Sequence, residues 1–445
     1  MGSPSGVLAL LGGNPVRRVP WPKWPRAESS TEAAVLAVLR SERWTISGPA
    51  CKTPAFEHKF AVEFAKYHGV PYCVPTANGS AALTISLEAL GIGPGKEVLV
   101  PGLTWVACAS AVARVGAIPI LVDIDPRTLS MSAAEARQAI SPRTAAIMLV
   151  HLYCRCAALE EFTALATTFD LPLIEDCSHM HGAIWRGRRV GTFGTVGVFS
   201  MQQTKVLTSG EGGAVITSDP ALYDRLQQLR ADGRRYTECH AEGGAGLEPV
   251  GDIQGHNYCL SEFQAAVLLD RLPALTTENE RRLQNALCLT ERLLCLEGVR
   301  PLHEVEANFQ PTFYRYCIFF DRQAWSGIPI ELTAAALSAE LGVLSQPIYD
   351  PLNKNPLFDL RRSPRTPSNK DFASAYDPLR FSLPAASAAR RECLGLPHHV
   401  LLGSRDDVDD IAIAVEKLLD YRDALRQIAL TKGGVTNHGT RSGSA

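Results

Sequence analysis

Lys205 closes the run Val198-Phe199-Ser200-Met201-Gln202-Gln203-Thr204-Lys205, and Ser209-Gly210-Glu211-Gly212-Gly213 follows it. A lysine just past a buried strand is not placed like a solvated one. Desolvation and a neighbouring cation lower the pKa of such an amine and make it nucleophilic towards an aldehyde. Taken alone, the segment reads as an ordinary loop lysine. Ile174-Glu175-Asp176-Cys177-Ser178-His179 ends an apolar run with a carboxylate. At a strand edge, Asp176 can pair with a pyridinium nitrogen and keep that ring an electron sink, with His179 in reach of a phenolic oxygen. A helix-capping Asp with a bystander His is the alternative. Thr76-Ala77-Asn78-Gly79-Ser80-Ala81-Ala82-Leu83 puts small polar residues between a strand and a helix start. Free backbone N–H groups there suit a phosphate, although Ser80 as a plain N-cap would look the same. Ser200 would add a hydroxyl to that phosphate seat. Gly255-His256-Asn257-Tyr258-Cys259-Leu260-Ser261-Glu262 opens a further helix with Ser261 as its cap.

These residues need elements to position them. Between Tyr72 and Asp219, buried strands are expected at Glu97–Val100, Pro119–Val122, Ala146–Val150, Leu173–Ile174, Val196–Phe199 and Ala214–Thr217. Continuous apolar runs, as opposed to alternating ones, belong to a sheet covered on both faces. Ala81 to Leu90 has helical 3/4 spacing, and the strand–helix alternation predicts an α/β domain with a mainly parallel sheet. The expected organisation is an arm over 1–40, helical from about Ser30 to Arg40, then a large domain over 41–275 and a smaller one over 276–430. The small unit is led by a helix at about Leu275–Leu296. It has a strand at Tyr314–Phe320, helices near 331–341 and 405–424, and a disordered tail over 431–445.

The chain has 445 residues, 46% hydrophobic and 20% charged, with 44 basic against 46 acidic side chains for a net charge of −2. That balance gives no reason to expect nucleic acid or an anionic membrane as partner. No apolar stretch approaches the ~20 residues of a membrane span. Twelve scattered cysteines suit reduced, packed thiols of a cytoplasmic protein, and no matched CxxC pair points to a metal.

The segments "NGSAAL", "IEDCSHMHGA", "FSMQQTK…GEGG" and "GHNYCLSEFQAA", in this order, resemble the DegT/DnrJ/StrS family of aminotransferases dependent on pyridoxal 5′-phosphate (PLP), from about Trp21 to Leu419. The resemblance implies the aspartate-aminotransferase-like fold (fold type I). It also implies Lys205 as the Schiff-base lysine and Asp176 as the partner of the pyridine nitrogen. His179 falls near the phenolic oxygen, Trp105 on the ring face, and Gly79, Ser80 and Ser200 at the phosphate. Asn257 would reach the phosphate from the neighbouring subunit, so the active site would be shared across a homodimer.

Two departures narrow the resemblance. Cys154-Arg155-Cys156 stands where many relatives have Gly-Gln-Pro, and Cys259 where they have Arg. Together with Met201-Gln202-Gln203, Arg230-Ala231-Asp232-Gly233-Arg234 and Pro351–Leu357, they resemble the cyclitol branch of aminoglycoside antibiotic pathways. The implied reaction moves an amino group from L-glutamine or glutamate to 2-deoxy-scyllo-inosose or scyllo-inosose, with ping-pong kinetics. The cysteines are otherwise plain packing residues, and Trp44 is expected either at the substrate pocket or as a buried anchor for the arm. A keto-deoxy-sugar carried on a nucleotide is the alternative substrate. A sugar dehydratase of this family would carry His in place of Lys205, an amino-hydroxybenzoate-type synthase would lack the cysteine departures, and a sugar-binding regulator would be expected to lose the lysine or carboxylate.

Overall fold

The computed structural model describes residues 7–47, 55–237, 246–303, 306–362 and 375–435. Its main sheet has seven strands: β1 (Tyr72–Thr76), β2 (Glu97–Pro101), β3 (Ile118–Val122), β4 (Thr144–Val150), β5 (Leu173–Asp176), β6 (Val196–Ser200) and β7 (Gly213–Thr217). Their spatial order is β1-β7-β6-β5-β4-β2-β3. β3, β2, β4, β5 and β6 run parallel, while β7 is antiparallel to both of its neighbours. All six apolar runs are therefore strands, and β2 and β7 are buried at every position. Helices cover both faces, as a sheet with no polar face requires.

The helices that position the site are α1 (Ser29–Ser41), α2 (Phe56–His68), α3 (Gly79–Ala89), α4 (Ala107–Arg114), α5 (Glu262–Arg271) and α6 (Leu275–Leu293). Ser261 caps α5 through a capping box with Gln264. The cap of α3 is not Ser80. Asn78 fills that place, its Oδ1 accepting the Ala81 N–H at 2.8 Å. A residue in extended conformation must precede the first turn to cap it, and Ser80 already lies inside the helix.

A second, four-stranded antiparallel sheet is built from β8 (Val299–Pro301), β9 (Arg315–Phe320), β10 (Gln346–Pro347) and β11 (Cys393–Pro397), in the order β8-β9-β11-β10. The helices α7 (Ile330–Leu341) and α8 (Arg405–Asp420) pack together. One buried apolar cluster runs without a break from Val98 and Val150 of the main sheet to Tyr316 and Leu394 of the second. The two sheets thus share a core. The expected disordered tail is corrected in its first residues: α8 is capped by Tyr421, and the chain continues as α9 (Arg422–Val435), which takes in 431–435. The remainder of the tail lies outside the described residues.

The arm is bolted to the second sheet's helices. Glu340 of α7 accepts the N–H groups of Ala9 and Val16 and the Lys417 ammonium, all within 3.1 Å. Arg17 pairs with Asp407 and Asp410 at 2.8 and 2.9 Å. Because Lys417 and Glu340 are buried, their pairing is obligatory: either one left alone would be an uncompensated buried charge.

Glu262 performs a related task between helices. Its carboxylate accepts the Phe56 and Glu57 N–H groups at the start of α2, at 2.5 and 3.3 Å. Burial, with Glu57 adding to it, raises its pKa from 4.5 to about 7. The native chain then binds more protons than the unfolded chain between those two values, so stability should fall as pH rises through that window. Glu262→Gln should flatten this part of the curve of Tm against pH, as thermal unfolding across pH 4–8 would show.

Candidate active site

β5 ends in two carboxylates that the pleat sends to opposite faces. Glu175 is fully buried: it accepts the Gly191 and Gly194 N–H groups at 3.0 and 2.5 Å and lies 3.1 Å from His151 Nε2. Asp176 faces the other way, into a cavity of about 730 Å³ beyond the carboxyl ends of the parallel strands, where open α/β sheets place ligands. Asp176 caps no helix. Its Oδ1 accepts the Ser178 N–H at 3.0 Å and its Oδ2 the Cys108 thiol at 3.2 Å. Burial, with Asp176 beside it, holds the Cys108 thiol well above its ordinary pKa, so it stays a donor to the carboxylate.

Lys205 lies on the same cavity, 8% exposed. Its Nζ sits 4.2 Å from the centroid of the Tyr314 ring. Burial lowers its pKa, while Tyr314 and Asp176 pull the other way. The main chain around it is also held, since the Trp24 indole of the arm donates to the Lys205 carbonyl at 3.2 Å. Tyr314 sits between Lys205 and His179, stacked on the His179 ring at 3.9 Å. Burial raises the Tyr314 phenol, but Lys205 and Arg315 outweigh it and leave the pKa below the ordinary value of 10. His179 is buried and held well below its usual pKa, first by burial and then by Lys205. Its Nδ1 accepts the Tyr153 N–H at 3.2 Å, which assigns the ring proton of the neutral imidazole to Nε2.

Gly79, Ser80, Ser200 and Trp105 line the same cavity. Gly79 and Ser80 open α3, where first-turn N–H groups have no partner within the helix. A Cβ added at Gly79 would lie 2.7 Å from the Ser200 Cβ, so the closeness of the two segments depends on that hydrogen. Open amides, a serine hydroxyl, a buried lysine and a carboxylate on one cavity are the donor set that a phosphorylated pyridine aldehyde requires, and the residues fit such a group.

Asn257 is the exception among the expected site residues: it is exposed and does not line this chain's cavity. Trp44 is not a buried anchor. It is 52% exposed, packs on Phe263 and does not line the cavity. Cys154 and Cys156 are buried away from the cavity, with the Cys156 thiol on His151 Nδ1 at 3.4 Å, and Cys259 is half-buried. Cys108, Tyr314, Arg315, Gln346 and Tyr349 also line the cavity and were not marked by sequence. Arg315, a charge at the start of an apolar strand, was the one readable signal. Gly79→Ala should cost about 1–3 kcal/mol by overpacking and weaken retention of a phosphate-bearing cofactor, as thermal unfolding and dialysis would show.

Residues 25–416 match the family model described as the DegT/DnrJ/EryC1/StrS aminotransferase family. The chain is 45% identical to an L-glutamine:2-deoxy-scyllo-inosose aminotransferase of Streptoalloteichus tenebrarius, over 94% of this chain and 99% of that protein. It is 44% identical to an L-glutamine:scyllo-inosose aminotransferase of Streptomyces griseus, over 93% and 97%. Among solved structures, 3-amino-5-hydroxybenzoic acid synthase superposes with a TM-score of 0.75 at 26% identity, covering 90% of this chain and all of that one. Matched over residues 25–416 and nearly half identical to such relatives almost end to end, the chain belongs to the DegT/DnrJ/EryC1/StrS aminotransferase family, whose members are PLP-dependent.

Proposed function

We propose that this protein transfers the amino group of L-glutamine to a cyclitol ketone, 2-deoxy-scyllo-inosose or scyllo-inosose, in aminoglycoside antibiotic biosynthesis. The observation that carries the reading is the 45% identity, nearly end to end, with enzymes named for that reaction. The cavity agrees with it, because hydroxyl and amide groups of Thr104, Tyr314, Tyr349 and Gln346 suit a neutral polyol.

PLP, when bound, supplies the aldehyde that takes the amine and the ring that spreads carbanion charge. Lys205 would hold it covalently between turnovers and, once freed, would move the proton between the substrate carbon and C4′ of the cofactor. The lowering of its pKa by burial favours its acting as a base. Asp176 would keep the proton on the pyridine nitrogen, with Cys108 orienting the carboxylate. His179, its proton on Nε2, is a donor for the phenolic oxygen. Trp105 would cover one ring face, and Gly79, Ser80 and Ser200 would seat the phosphate. Glutamine leaves as its 2-oxo acid before the ketone enters and leaves as an amine, so the kinetics are ping-pong.

The protein acts, in this reading, as a cytoplasmic homodimer. Asn257 is exposed and off its own cavity, as a residue serving the partner's phosphate seat would be. The described cysteines are free thiols, and among the described residues no helix is long and apolar enough to cross a membrane.

Purified protein given glutamine should aminate 2-deoxy-scyllo-inosose or scyllo-inosose at least tenfold faster than a nucleotide-linked keto-deoxy-sugar. The reverse preference would sink the proposal. Lys205→Ala should lower turnover by about 10²–10⁴-fold or more and lose the visible absorbance of lysine-bound cofactor. Asp176→Asn should keep that absorbance and lose turnover.

A further inference from the structure

Arg315 is the first residue of β9, next to Tyr314, and its side chain lies on the cavity wall. Its stem crosses Gly395 of β11, where an added Cβ would stand 3.0 Å from the Arg315 Cδ and 3.3 Å from its Cβ. Missing side-chain bulk on that strand therefore makes the channel in which the arginine lies. At its end, Nη2 donates to Gln346 Oε1 at 3.1 Å. Among the described residues Arg315 forms no ion pair, and the groups that sustain its charge against burial are the phenols of Tyr153, Tyr314 and Tyr349, with the Cys317 thiol. Arg114, the other arginine of the cavity, has a partner of its own.

A guanidinium held in a fitted channel, with only neutral partners, is half of a charge-assisted fork and suits a carboxylate. The proposed acceptor is a neutral polyol and has no use for that charge, whereas the donor carries an α-carboxylate. The Tyr314 ring fixes the spacing: Lys205 Nζ lies 4.2 Å and the Arg315 Cζ 5.8 Å from its centroid. Both cations thus lie against one ring, and an α-amino acid, which carries amine and carboxylate on one carbon, has the two groups close enough together to meet that pair. We propose that Arg315, seated by Gly395 and Gln346, is the binding site for the α-carboxylate of the amino donor. The assignment rests on the aminotransferase reading above but not on the identity of the ketone.

The test uses the cofactor-loaded enzyme and glutaramate, the glutamine skeleton without its amine, titrated by calorimetry, with scyllo-inositol as the polyol probe. Arg315→Gln should weaken glutaramate by roughly 10- to 100-fold, the worth of hydrogen bonds to a charged group, and raise the glutamine KM to match. Scyllo-inositol should be affected far less. Arg315→Lys should recover part of the affinity, because it keeps the charge and loses the fork. Gly395→Val, which crowds the stem and leaves the charge in place, should also weaken glutaramate. The proposal fails if Arg315→Gln binds glutaramate like the unsubstituted enzyme, or weakens both probes equally. If that variant does not fold, unchanged glutaramate affinity in Gly395→Val overturns it as well. An enzyme that binds glutaramate through Arg315 but does not take scyllo-inositol would remove the cyclitol reading and leave the carboxylate site standing.

Discussion

The site depends on β5 stopping in one register. Glu175 and Asp176 are neighbours, and a shift of one residue would exchange the faces they serve. Glu175 prevents the shift, because two backbone N–H groups and His151 await it on the side away from the cavity. A carboxylate buried there without those partners would cost several kcal/mol. Asp176 faces the cavity because Glu175 has no other place to go. Cys108, kept protonated by burial, then orients the Asp176 carboxylate from α4.

The second constraint is the burial of the Lys205 amine. A desolvated ammonium is unstable without compensation, and here the compensation comes from far along the chain. The Tyr314 ring faces Nζ, and the Trp24 indole holds the Lys205 carbonyl. One group comes from the residue just before β9 and the other from the arm. The arm is itself tied to Glu340, Asp407 and Asp410 of that same second unit. Main sheet, second sheet and arm therefore converge on one side chain, and the shared apolar core limits how far they can move apart. Such a junction keeps the amine out of water, which lowers its pKa, and holds the cavity walls at a fixed spacing. The proposed proton transfer by Lys205 would require both.

Sequence alone determined a large part of this. The six apolar runs of the main sheet are strands because a doubly covered strand carries its signal in every residue. Ser261 caps its helix as expected, and Lys205, Asp176, His179, Gly79, Ser80, Ser200 and Trp105 meet at one cavity. Their order along the chain was informative because strand ends and helix starts alternate there, so local pattern and site coincide. Only tertiary structure decided the rest. Choosing Asn78 over Ser80 as the cap needed the backbone angle at one residue. The last residues of α9, 431–435, are helical where composition resembled a loose tail. Tyr314, Arg315, Gln346 and Tyr349 read as part of a separate unit, more than 100 residues from Lys205. They reach the lysine because two sheets bury one core, and contacts made by packing across such a distance leave no periodicity in the chain to be read.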